Sequence, residues 1–202
     1  MDGLSKWNER YNTDEYVYGT EPNQFLRDYI TTHQLEGRRV LAIAEGEGRN
    51  AVWLATLGFD VEMWDASKVG LEKAERLATS RNVSLQTKQI DLNEADWSQD
   101  AYDVVICIFG HFPQHVREKV FAGIQRTLRP GGVFLTEVYS TNQLAYGTGG
   151  PQDVSFLYSE ELFHQLEDDF VPLILHEVVV WREEGSLHHG DSSVIQYVGQ
   201  KR

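Results

Sequence analysis

Residues 38–65 constrain the fold more than any other stretch. RRVLAIA (38–44) is a continuous apolar run of strand length, and it leads into Glu45-Gly46-Glu47-Gly48. RNAVWLATLG follows at helical spacing with Gly58 as its stop, and FDVEMWD then alternates as a second strand closed by Asp65. A strand that turns through two glycines into a helix and returns as a strand is a βαβ unit. Such a unit is right-handed and needs a parallel sheet with helices over it.

The same alternation continues along the chain. VGLEKAERLATS (69–80) is a helix, VSLQTKQID (83–91) a third strand, and YDVVICIFG (102–110) the unbroken apolar run of a strand buried on both faces. Val116, Val120, Ile124 and Leu128 recur four apart in a helix that stops at Pro130-Gly131-Gly132, before a fifth strand, VFLTEVY. After a Gly- and Thr-rich loop (140–151) the pattern predicts a helix at 159–169, then strands at 171–182 and 187–199 joined through EEGS. The expected fold is α/β: a Rossmann-like, seven-stranded, mostly parallel sheet with helices on both faces and a C-terminal antiparallel strand pair. A chain of 202 residues suits one domain, with residues 1–36 as an N-terminal arm and helix and 37–202 as the core.

Charge narrows the partners. Acids outnumber bases 31 to 18, and the bases are scattered, so a phosphate backbone or an anionic membrane surface is not the expected partner. No apolar run approaches a membrane span, and the first residues lack a signal-peptide pattern, which makes the cytoplasm the expected compartment. The single cysteine, Cys107, excludes intrachain disulfides and multi-cysteine zinc sites. A small molecule or a protein side chain remains, and a small molecule is the expected substrate, handled by a monomer or weak homodimer without a metal.

In an open parallel sheet, ligands bind beyond the carboxyl ends of the strands where the strand order reverses. Gly46-x-Gly48-x-x-Ala51 fits the dinucleotide fingerprint, with Asp65 at the distance where an acid accepts ribose hydroxyls. Glu45 and Glu47 flank Gly46, however, and carboxylates there repel a pyrophosphate while suiting a cation. S-adenosylmethionine carries a sulfonium and an ammonium and no phosphate. Asp91 is then placed to accept from the adenine amine, with Leu92 over the ring and Ala66 beside Asp65 completing the cofactor set.

Gly46, Gly48, Asp65, Asp91-Leu92, Asp103 with its apolar run, and Leu128-Arg129-Pro130-Gly131-Gly132 form a set that resembles class I S-adenosylmethionine-dependent methyltransferases over residues 38–140. The segments WNERYNTDEYVYGTEPNQFL and HEVVVWREEGSLHHGDSSVIQYV look like the small tellurite-resistance-type subgroup. That resemblance implies methyl transfer to a small soft nucleophile: a thiol, a selenium or tellurium oxyanion, or a similar metabolite. It also implies an arm folded over the cofactor, with Arg10 meeting its carboxylate and Tyr11 or Tyr18 beside the sulfonium, and positive charge gathered near Arg182, His188 and His189.

One departure stands out. The family's strand acid and following glycine are Ala42 and Ala44 here, so Glu45 is the candidate to pair the cofactor's ammonium, ahead of Glu47. The plainer alternative is that Glu45 only favours a helix N-terminus. His111, after the fourth strand, is the candidate catalytic group, as a base or an oxyanion donor. It is equally a loop histidine bonded to backbone. Two rivals stay open: an NAD(P)-dependent oxidoreductase, whose Tyr-x-x-x-Lys pattern occurs only at Tyr197–Lys201, and a non-catalytic S-adenosylmethionine-binding module.

Overall fold

The computed structural model describes residues 3–185 and 188–202, with side chains for 6–185 and 189–202. Seven strands form one sheet in the order β3-β2-β1-β4-β5-β7-β6. They are β1 (Arg39–Ile43), β2 (Asp60–Asp65), β3 (Gln86–Gln89), β4 (Tyr102–Ile108), β5 (Leu128–Tyr139), β6 (Phe170–Glu184) and β7 (His188–Lys201). The first five pair in parallel, and β7 is antiparallel to both β5 and β6. The expected α/β architecture, including the C-terminal antiparallel pair, is the one observed.

Alternation along the central strands sends side chains into two cores. Val40, Ala42, Val104 and Ile106 pack with α2 (Gln24–Thr32), α3 (Arg49–Thr56) and α4 (Lys68–Ser80) on one face. Leu41, Ile43, Val105 and Cys107 pack on the other face with Val120 and Ile124 of α5 (Gln114–Thr127) and Phe163 of α6 (Glu160–His164). A further helix, α1 (Gly3–Tyr11), lies along α4.

Three elements differ from their predicted extent. β3 has only four residues, because the 83–91 segment lies at the sheet edge and pairs with β2 alone. The helix expected at 159–169 is the five-residue α6, after which residues 165–169 turn back toward the long β6. Arg129–Gly132, expected as a turn, belongs to β5: the register steps from Tyr102 opposite Leu128 to Val104 opposite Val133, and the bulge absorbs the proline and glycines. Among the described residues, no helix is long and apolar enough to cross a membrane.

Candidate active site

The strand order reverses between β1 and β4, and backbone strain collects there. Ala44, just past β1, has φ +51°, and Phe109, just past β4, has φ +55°. A left-handed conformation costs a residue with a Cβ about 1–2 kcal/mol. Such strain on neighbouring strand ends is typical of ligand sites.

The loop from β1 to α3 is built by its glycines and then closed by its acids. Gly48, at φ +84°, is the α3 N-cap residue, and a Cβ on it would overlap the Cβ of Ala74 on α4. Lacking a side chain, it cannot satisfy the first α3 amides, and Glu45 does so instead. Glu45 Oε1 accepts from the backbone N–H of Asn50 at 2.8 Å and of Ala51 at 2.9 Å. Asn50 Nδ2 lies 3.3 Å from Oε2, the oxygen with more capacity left. Burial pushes the Glu45 carboxyl up to about 7 against these hydrogen bonds, which favour its charged form. Glu47 turns the other way, into a buried ion pair with Lys73.

Lys73 is only 1% exposed and also donates to the carbonyls of Tyr11 (3.3 Å), Thr13 (3.1 Å) and Glu15 (2.5 Å). One ammonium thus ties the end of α1 to the glycine loop. The arm it holds places Tyr11 over that loop: a Cβ on Gly46 would come within 2.5 Å of the Tyr11 hydroxyl. Arg10 Nη1 donates to the Tyr18 hydroxyl at 2.9 Å, and the Tyr18 ring meets Tyr11 edge-on at 6.4 Å. Burial, reinforced by the negative charge of Asp65, holds the Tyr11 phenol well above its usual range.

Asp65 closes β2 in a buried position. Its Oδ2 accepts from Gly46 N at 2.7 Å and its Oδ1 from Ser67 N at 2.7 Å. Desolvation outweighs those amides and raises its pKa. Ala66, beside it, receives Gln89 Nε2 on its carbonyl at 3.1 Å. The Ile90 amide bonds to Asp65 O at 3.0 Å and so brings the 90–94 loop to the same edge. In that loop Asp91 is exposed, and Leu92 is buried in the cluster with Trp64 and Trp97.

Of the residues singled out by sequence, Arg10, Tyr18, Gly46, Asp65 and Ala66 therefore converge around Tyr11. Glu45 and Gly48 sit in the same loop, and Asp91-Leu92 lies at the neighbouring strand end. His111 is apart from them, beyond β4 and β5. Its Nδ1 is 2.9 Å from Phe156 O, and the Tyr139 amide donates to its Nε2 at 3.4 Å. Burial pushes its pKa down to about 4, so the ring is neutral near pH 7 with its proton on Nδ1.

A cleft of about 560 Å³ opens beside this site between residues 18–28 and the β6–β7 hairpin. Its floor is a buried polar cluster that sequence reasoning missed. Glu137 of β5 is 1% exposed and accepts from Asn23 Nδ2 (2.6 Å), Arg182 Nη2 (2.8 Å) and Gln196 Nε2 (2.7 Å). Glu184 joins it, paired with Arg182 at 2.7 Å and with Arg49 at 2.6 Å. The available signal was an acid in the apolar strand VFLTEVY. Arg182, expected as free positive charge, is neutralised by two carboxylates. His189 meets Trp181 edge-on at 5.5 Å, and the side chain of His188 lies outside the described residues.

A methyltransferase domain family matches residues 40–132, the segment from β1 to the start of the β5 run. Over that segment the chain is similar to S-adenosylmethionine-dependent methyltransferases of class I. It is 28% identical over 131 residues to a ubiquinone biosynthesis O-methyltransferase of Rickettsia akari, covering 62% of this chain and 51% of that protein. It is 32% identical over 156 residues to a glycine/sarcosine N-methyltransferase of Parasynechococcus marenigrum, covering 72% and 50%. The crystal structure of TehB from Haemophilus influenzae superposes with a TM-score of 0.73 at 19% identity, over 98% of this chain and 67% of that one. The chain spans about half the length of the curated relatives it matches.

Proposed function

We propose that the chain transfers the methyl group of S-adenosylmethionine to a small-molecule acceptor, as a single domain with the cofactor at the carboxyl ends of β1, β2 and β3. The observation that carries this reading is Asp65: a buried carboxylate at the end of β2, held by the backbone amides of Gly46, Ser67 and Ala66. Acceptor capacity is left over on this carboxylate, and a ribose hydroxyl would use it. The donor set around it suits the rest of the cofactor: Arg10 with Tyr18 for the carboxylate, Glu45 Oε2 for the ammonium, and Asp91 and Leu92 for the adenine.

When bound, S-adenosylmethionine supplies an electrophilic methyl group on a sulfonium. That methyl would pass to the acceptor's lone pair while the carbon–sulfur bonding pair stayed with sulfur, and an acceptor bearing a proton would have to give it up. For this chemistry the chain's residues hold, orient and exclude water. Tyr11 and Tyr18 cover the glycine loop from solvent, and the Lys73–Glu47 pair fixes the arm that carries them. His111 is the candidate base, with a neutral Nε2 that the long 3.4 Å contact from Tyr139 engages only weakly. The resemblance to the tellurite-resistance subgroup points to a thiol or chalcogen oxyanion as acceptor. Against the oxidoreductase rival, the glycine loop buries two carboxylates, and Tyr197 and Lys201 lie on β7 instead of a helix.

Calorimetric titration with S-adenosylhomocysteine and with NADPH tests this. The first is expected to bind and the second not. Asp65→Asn should weaken S-adenosylhomocysteine binding about tenfold or more, since charge-assisted hydrogen bonds are lost. Unchanged affinity in Glu45→Gln would remove Glu45 from the ammonium site.

A further inference from the structure

We infer that the cleft between the N-terminal arm and the β6–β7 hairpin binds a small amine, protonated as it enters and carrying a neutral oxygen acceptor, and that this is the methyl acceptor once its ammonium proton has passed to solvent and freed the nitrogen lone pair. The inference rests on the methyltransferase reading and replaces the thiol or oxyanion acceptor that the resemblance implies with an amine. The cleft adjoins the cofactor end of the molecule. Tyr18 and Arg49 line it, and the Arg182 guanidinium on its floor packs over the ring of Phe109, 4.8 Å from the centroid, at the strained end of β4.

Its charge is already set by internal pairing. Arg27 is held by Glu21 at 3.0 Å, Arg49 by Glu184 at 2.6 Å, and Arg182 by Glu137 and Glu184 at 2.8 and 2.7 Å. Five carboxylates line the cleft against these three guanidiniums, Glu21 also pairing with Arg81 at 3.0 Å, and among the described residues no ion pair holds Asp28 or Glu183. An oxyanion entering here meets a net negative wall and no uncommitted guanidinium. An ammonium meets the charge it lacks.

Two further features point to a ligand of that shape. Trp181 lines the cleft yet is 66% exposed, leaving an indole face open beside the carboxylates, which is how proteins hold organic cations. Arg182 lines it while only 3% exposed, and its Nε–H is buried with no hydrogen-bond partner among the described residues. A donor left that way calls for an acceptor atom. Because both Nη groups are committed to carboxylates, the fitting acceptor is an uncharged oxygen, as in an amino alcohol.

The test uses the full chain and probes that differ in one group: 2-aminoethanol, ethylamine, 2-mercaptoethanol and selenite. Binding is read by ligand-detected NMR, with and without S-adenosylhomocysteine, and turnover by release of S-adenosylhomocysteine from S-adenosylmethionine. The amino alcohol is expected to bind best, with ethylamine weaker and the thiol and selenite weakest. Glu183→Gln and Trp181→Ala, both exposed and so tolerated by the fold, should each weaken the amine about fivefold or more while leaving S-adenosylhomocysteine affinity unchanged. Preference for thiol or selenite, amine binding indifferent to both substitutions, or no probe bound while S-adenosylhomocysteine binds would each overturn the inference. Amine binding in a chain that does not bind S-adenosylhomocysteine would instead sink the methyltransferase reading, and with it the acceptor role.

Discussion

Glu45 and His111 show how one side chain's surroundings set its protonation, and they respond to pH in opposite directions. The folded state holds the Glu45 proton up to about pH 7, whereas the unfolded chain releases it near 4.5. Stability from this group is full below pH 4.5 and is lost as pH rises toward 7. His111 has a folded pKa of about 4 against the ordinary 6.5, so its contribution is full above pH 6.5 and is lost as pH falls toward 4. Urea denaturation across pH 4–8 should show His111→Gln flattening the acid-side loss and Glu45→Gln flattening the loss toward neutrality. At Gly48 the constraint is steric. Gly48→Ala combines a left-handed alanine with overlap against Ala74 and should cost about 2–4 kcal/mol, visible as a lower urea midpoint.

At the scale of elements, two buried ionic clusters join parts of the chain that are far apart in sequence. Lys73 fastens the arm to the glycine loop, and the Arg182 cluster fastens the β6–β7 hairpin to β5, to Asn23 in the arm and to Arg49 on α3. Removing one partner strands a charge in a dry site. Arg182→Met should therefore destabilise by about 3–5 kcal/mol, and adding Glu137→Gln should recover part of that, both measured by chemical denaturation. Lys73→Met should release the arm, so limited proteolysis near Thr13–Glu15 becomes faster than in the parent chain. Saturating S-adenosylhomocysteine should slow that cleavage in the parent if the arm closes over the cofactor.

For the whole molecule, ligand binding and folding are linked. S-adenosylhomocysteine at one hundred times its dissociation constant should add about 2.7 kcal/mol to the unfolding free energy. The chain carries a formal charge of −13, and carboxylates outnumber guanidiniums in the cleft beside the arm. At low salt, cationic ligands should therefore associate faster than neutral ones of the same size, and the difference should shrink as salt rises and screening shortens.

The sheet and its helices were legible in the sequence because local spacing writes them. The continuous apolar run at 38–44 marked β1 as a buried strand, and four-residue spacing from Val116 marked α5. Glycines before a helix and an acid ending the next strand likewise placed Gly46, Gly48 and Asp65 at one edge, since a βαβ unit fixes their relative positions. Side-chain pairing was not legible. Whether Glu45 faces a ligand or the α3 amides, whether Glu47 is free or bound to Lys73, and whether Arg182 keeps its charge for a substrate depend on partners 5, 26 and 45 residues away. The cost of burying a charge is decided by those partners, and only tertiary packing brings them within hydrogen-bond reach.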